Sequence, residues 1–428
     1  MFLTNLPDRI MEINKINLNN AVPTFNLAPF EYQKQLRDHL KNRKKTWDWF
    51  SRKDLKTKQI EEFKSGLLKN TYRLDAEAYK ELYLTCAEVC QKLAIDAEVT
   101  LYQENNSVHL NAGISIIKKE AHIVLSGNLI GLLNSEEMKS VLAHELSHYL
   151  FYRVDNEEFE TTQRIIVALA NDSRSDDAMI ETARKFQLYT ELFCDAGSLL
   201  VCGNHTVVIQ TLLKLNTGLT QVNAESYLEQ AREIIDGDKK ASSNTTHPEA
   251  YIRSLALQLR SEQNPDYFDK VVQMIEGELD LNHLDIFDQV EMLDMTHKLV
   301  QIILKPKWMN SSPVVNLATQ YFQNFYRKNE TQDLNIFRDE ILKTDESVQN
   351  YLCYVLLDFS MVDTDLENGP LAHVLEISEL LGLNELLEKL TRKEFKLTVR
   401  DFKLLKDKAI TELQSVKEAK EDSIYNEH

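Results

Sequence analysis

Apolar positions along the chain repeat mostly at helical spacing. Tyr79, Leu82, Cys86, Val89, Cys90 and Leu93 fall on one stripe, which predicts a helix over residues 76–93. A short region of alternating pattern follows and predicts three strands, at 98–102, 108–117 and 122–126, with a polar turn at 118–121. Asn134 then sits where a helix N-cap belongs, with Glu137 three residues later to complete a capping box. In the helix that follows, Met138, Leu142, Leu146 and Tyr149 form the stripe expected to face a core. Helical patterning continues over 156–215 and 224–235, and a polar linker covers 236–246. From Pro265 to the end the pattern is again helical, and before the first stripe it is helical from Pro29, with Leu36, Leu40, Trp47 and Phe50 as apolar positions.

The expected fold is therefore mainly α with a small β-sheet, an α+β chain. Only 11 glycines and 8 prolines in 428 residues agree with long helices. Three regions are expected: an N-terminal helical extension (1–70), a domain carrying the strands (71–262) and a C-terminal helical domain (263–428). No fixed-period repeat or low-complexity tract interrupts them.

Composition narrows the function classes. Apolar residues make up 43% of the chain and charged residues 27%, as in globular proteins. The net charge of −18 repels phosphate backbones and argues against nucleic acid as a partner. The basic run at Lys41, Arg43, Lys44 and Lys45 is too short to reverse that and reads as a solvated helix face. No stretch approaches the ~20 apolar residues of a membrane helix. The N-terminus lacks a signal-peptide pattern. The five cysteines form no paired framework, and Cys86 and Cys90 read as reduced thiols. These features lead to the expectation of a cytoplasmic protein without a membrane span.

The chemistry-bearing pattern is His144-Glu145-Leu146-Ser147-His148, a His-Glu-x-x-His sequence inside the capped helix. Four residues of helix turn by about 400°, so the two imidazoles stand nearly above one another and can hold one Zn²⁺. Glu145 faces the open side, where it can take a proton from the attacking water and return it to a leaving amine. A catalytic zinc takes three protein ligands. No third histidine follows closely, so the candidates are Glu157, Glu158, Glu160, Glu181 and Glu191. Glu191 is preferred, because Asp195 lies one turn further on and can orient a metal-binding imidazole, and because Ala196 and Gly197 allow close helix approach.

His-Glu-x-x-His followed by Glu191-x-x-x-Asp195 on a later helix resembles the HtpX-like and CAAX-prenyl-endopeptidase family of gluzincin zinc metallopeptidases. Asn111-Ala112, Gly127-Asn128-Leu129 and Thr246-His247-Pro248 with Arg253 extend the resemblance over roughly residues 75–260. It implies a zinc endopeptidase with one Zn²⁺ per chain, held by His144, His148 and Glu191. It further implies an oxyanion role for His247, a supporting role for Arg253, and an edge strand at Asn111, Ala112 and Gly113 that pairs with an extended polypeptide substrate. The chain departs from membrane-bound relatives, because residues 156–187 are polar where those carry membrane helices. CAAX specificity is therefore not implied.

Residues 263–428 carry no catalytic pattern. The stretches 351–358, 363–367 and 377–383 resemble TerB-like helical domains, and the region is expected to bind a protein partner, to restrict access to the site or to stabilise the fold. The acidic cluster Asp363, Asp365 and Glu367 misses the spacing of a Ca²⁺ loop and reads as a solvated loop. The rival functional reading is an autoinhibited or inactive metallopeptidase-fold binding module, with residues 1–70 over the cleft.

Overall fold

The computed structural model describes residues 26–52, 57–237, 241–322 and 333–425. It is mainly helical with one small sheet, the α+β class expected from the patterning. The chain divides into two compact units, Met1–Gly277 and Glu278–His428. The boundary expected at 262/263 lies inside the first unit, because Ala250–Ser261 packs on Tyr267–Glu276, and the Ser242 amide bonds the Met274 carbonyl at 3.0 Å.

Four strands form the sheet: β1 (Thr71–Arg73), β2 (Glu98–Glu104), β3 (Asn111–Ile117) and β4 (Glu120–Ser126), in the order β1-β2-β4-β3. β1 is too short to show a period and had no sequence signal. β3 begins three residues later than its apolar pattern suggested, since Val108 is exposed and paired with nothing on β4. The turn is also tighter, with Lys118 at φ 54° and Glu120 already in β4. β2 and β4 run parallel, which leaves β3 at the edge, bonded to β4 alone within the sheet.

Helices Lys80–Lys92 and Ser135–Arg153 cover the sheet. Val89, Leu93, Leu101, Ile123, Leu125, Leu142 and Leu146 are essentially solvent-free in the shared core. Full burial of each such side chain is worth about 1.5–3 kcal/mol. The helical patterning over 156–215 resolves into three helices: Glu158–Ala170, Asp177–Cys202 and His205–Thr217. Side-chain caps and one glycine make the breaks. Asp176 accepts from the Met179 amide, Gly203 takes φ +68°, and Asn204 accepts from the Thr206 amide. Helix Glu31–Lys41, in the stretch read as an extension, is anchored on this unit. The buried Gln33 donates to the Phe186 carbonyl at 3.4 Å and to Thr190 Oγ1 at 3.0 Å. Among the described residues no helix is long and apolar enough to cross a membrane.

The second unit is all-helical within its described residues and has its own core around Leu299, Ile303, Phe337, Leu352, Leu356, Phe359 and Leu387. In it, Asp363 Oδ1 accepts from the Asp365 amide at 3.0 Å and so shapes its own loop.

The tightest packing in the first unit joins Ser135–Arg153 to Asp177–Cys202. A Cβ at Gly197 would stand 2.0 Å from Ser147 Oγ and 2.8 Å from Ser147 Cβ. Ser198 Oγ also donates to the Ser140 carbonyl at 2.9 Å along the same seam. Gly197→Ala is therefore expected to force the helices apart and to destabilise the protein by about 1–3 kcal/mol. Its thermal melt, followed by circular dichroism, should move down by several degrees, and an unchanged midpoint would contradict the seam.

Candidate metal centre

Helix Ser135–Arg153, the histidine helix, is fixed at its start by reciprocal bonds. Asn134 Oδ1 accepts from the Glu137 amide at 3.0 Å, and Glu137 Oε2 accepts from the Asn134 amide at 3.0 Å. Lys214 Nζ, almost buried, adds an ion pair to Glu137 at 2.8 Å. The core stripe then lets His144 and His148 emerge on the neighbouring face, one turn apart, with ring centroids 5.2 Å apart. His148 also stacks on Tyr152 at 6.4 Å.

The seam at Gly197 brings helix Asp177–Cys202, the glutamate helix, against this face. Glu191 is 1% exposed and its carboxylate lies between the imidazoles. Oε2 is 3.2 Å from His144 Nε2 and Oε1 is 3.7 Å from His148 Nε2. Gln187, one turn earlier, donates to Oε1 at 2.8 Å. Oε2 is buried without a hydrogen-bond partner, since its approach to His144 lacks hydrogen-bond geometry.

One turn beyond Glu191, Asp195 links two helices. Its Oδ1 lies 3.0 Å from His144 Nδ1. Arg253, on helix Ala250–Ser261, donates to Asp195 from Nε at 2.7 Å and from Nη2 at 2.6 Å. An ionised carboxylate only accepts, so Nδ1 carries a proton toward Asp195, and Nε2, on the Glu191 side, is the nitrogen that a metal would take in exchange for its proton.

The loop before Arg253 is also held. Glu249 accepts from Ser242 Oγ at 2.6 Å and from the amides of Ser243 and Asn244, while Arg184 Nη1 donates to the carbonyls of Ser242 and Asn244. This places the half-exposed His247 with Nε2 3.4 Å from Glu191 Oε2.

The electrostatics favour a cation. Burial opposes charge on Glu191, yet the neighbouring histidines, His144 first, hold it well below the usual carboxylate range. Burial likewise opposes charge on Asp195, and Arg253 outweighs it, so Asp195 stays ionised. Burial disfavours protonated His144, but Asp195 and Glu191 push it up to about 10. Burial pushes His148 down to about 4. Asp195 is matched by Arg253 and Glu191 by the protonated His144, while Glu191 Oε2 keeps no hydrogen-bond partner. A divalent metal fits this donor set.

A cleft of about 520 Å³ opens onto the centre. Asn111, Ala112, His144, Glu145, Asp195, His247 and Arg253 line it. His148, Glu191 and Gly113 are not among its lining residues, and Gly113 is exposed on β3. None of the described residues in 26–70 lines it, and residues 1–25 of the proposed inhibitory segment lie outside the described residues. Three other glutamates considered as ligands are engaged elsewhere: Glu157 with Arg153, Glu158 with Lys41, and Glu181 with Arg184.

Sequence reasoning missed Cys194. His144, His148 and Cys194 form a group whose ligand atoms all lie within 4.8 Å of one another. The signal was its place between Glu191 and Asp195, on the helix face toward the histidines. Gln187 was missed too, although it stands one turn before Glu191.

Residues 80–164, which include the histidine helix through His148, match the model of the SprT-like family. The plastoglobule-localized metallopeptidase 48, chloroplastic, of Arabidopsis thaliana is 33% identical over 172 residues, covering 38% of this chain and 48% of that protein. The chain thus spans about half the length of this curated relative. No solved structure matches. The two likenesses support a metallopeptidase-type family with a metal cofactor, without singling out the HtpX-like and CAAX-prenyl-endopeptidase family.

Asp195→Asn should weaken metal binding about 10–100-fold, because an amide neither holds the imidazole tautomer nor balances Arg253. Competition with a chromophoric chelator measures this, and wild-type affinity in the variant would exclude the positioning role.

Proposed function

We propose that this chain is a zinc-dependent endopeptidase, with His144, His148 and Glu191 as metal ligands. The observation that carries this reading is the buried Glu191 carboxylate. It lies 3.2 and 3.7 Å from the two imidazole Nε2 atoms, with Oε2 unbonded. Zinc, when bound, supplies a Lewis acid and makes water nucleophilic at neutral pH.

The chain's own residues do the rest. Glu145 lines the cleft, and burial pushes its pKa up to about 7, so it can accept a proton and release it again near neutral pH. Its roles are to take a proton from the attacking water and to deliver it to the leaving amine. Asp195 fixes the His144 tautomer, and Arg253 fixes Asp195. His247 lines the cleft, and its role in this reading is to donate to the oxyanion that develops at the scissile carbonyl. β3 is the sheet's edge, and its residues Asn111 and Ala112 reach the cleft. An extended polypeptide adding there would gain main-chain hydrogen bonds with little side-chain selection, and Gly113 leaves room for it.

Within the metallopeptidases, motif resemblance favours the HtpX-like and CAAX-prenyl-endopeptidase group, and residues 156–187 are polar where its membrane-bound members carry membrane helices. Cytoplasmic location and a protein partner for the C-terminal helices belong to the same proposal.

Purified protein should carry about one zinc per chain by elemental analysis. Glu145→Gln should keep that zinc and lose roughly 10²–10⁴-fold in cleavage of unfolded protein substrates. Undiminished proteolysis in this variant would remove Glu145 from the mechanism.

A further inference from the structure

The structure assigns a second donor from the glutamate helix to the metal: we propose that the Cys194 thiolate binds it beside Glu191. This rests on the metal reading above and adds a ligand to it.

Cys194 is 0% exposed and lies three residues after Glu191, on the same face of Asp177–Cys202. Its sulfur and a ring nitrogen from each of His144 and His148 all lie within 4.8 Å of one another. A metal–sulfur bond is about 2.3 Å and a metal–imidazole bond about 2.0–2.1 Å, so one ion can bridge the three after a small inward movement. A buried free cysteine usually serves as a small apolar side chain. This one instead lies within reach of the His144 and His148 ring nitrogens and faces the charges of Glu191, Glu145, Asp195 and Arg253, surroundings that offer an apolar group little.

The position of the sulfur decides what it would do. Cys194 does not line the cleft, whereas Glu145 and His144 do. A thiolate would therefore be a fourth protein donor that takes up no cleft surface, and the cleft side would stay accessible to water and substrate. The centre would then offer two nitrogens, a carboxylate and a sulfur, which favours zinc over harder, oxygen-seeking cations. Binding is balanced by loss of the thiol proton to solvent as the metal–sulfur bond forms.

X-ray absorption at the zinc edge of the full-length, zinc-loaded protein tests this. The expected result is one sulfur at about 2.3 Å beside nitrogen and oxygen at about 2.0–2.2 Å. In Cys194→Ala that sulfur shell should disappear while zinc remains bound. If that variant does not fold by circular dichroism, Cys194→Ser takes its place. A zinc shell of nitrogen and oxygen alone in the wild type overturns this proposal and leaves the metal reading standing. A sulfur shell that persists in a folded variant traces to another cysteine and also overturns it. Absence of stoichiometric zinc in the wild type overturns the metal reading and this assignment together.

Discussion

The contact of Gly197 with Ser147 sets the geometry of everything around the centre. Two helices can approach that closely only where one side presents no Cβ, because any added atom would fall inside the Ser147 hydroxyl. The same seam aligns Ser140 with Ser198, so the helices are fixed in register as well as in distance. Register matters because Glu191, Cys194 and Asp195 occupy successive positions along one face. A slide of one turn would put Asp195 where Glu191 now meets the imidazoles.

Burying that much charge is costly, and the arrangement offsets the cost by pairing. Asp195 takes two hydrogen bonds from Arg253 and one contact from His144, which explains how a carboxylate can remain ionised at 4% exposure. Glu191 has one neutral donor, Gln187, and otherwise faces imidazoles. Two buried carboxylates and two imidazoles therefore meet between the helices, a donor set that suits a cation. Arg253 depends in turn on the loop that Glu249 and Arg184 hold, so distant polar bonds determine whether the centre is assembled.

The sheet contributes an edge. Because β4 pairs parallel with β2, β3 is pushed to the outside, and its residues Asn111 and Ala112 end beside the histidine helix. A simple meander over the same three strands would have placed β3 in the middle and made β4 the edge. The parallel pairing thus decides whether an extended chain has backbone groups to meet there.

Local physics made part of this legible in the sequence. The Asn134–Glu137 box, the 3.6-residue stripe and the four-residue histidine spacing act within one or two turns, so the histidine helix and its paired imidazoles could be read directly. The α+β class followed from the contrast of periods, and Asp195 entered because it stands one turn from Glu191. The helix breaks at Asp176 and Gly203, the short β1 and the parallel strand pairing were not legible. Caps compete weakly against apolar runs, three residues show no period, and strand order depends on chain folding rather than on alternation. Choosing among five glutamates from sequence rested on neighbours alone. Only the packed structure engages Glu157, Glu158 and Glu181 in other ion pairs, buries Glu191 between two histidines and sets Cys194 beside them. Helix register and burial are properties of the assembled core, where a single missing Cβ at Gly197 fixes what a linear spacing cannot.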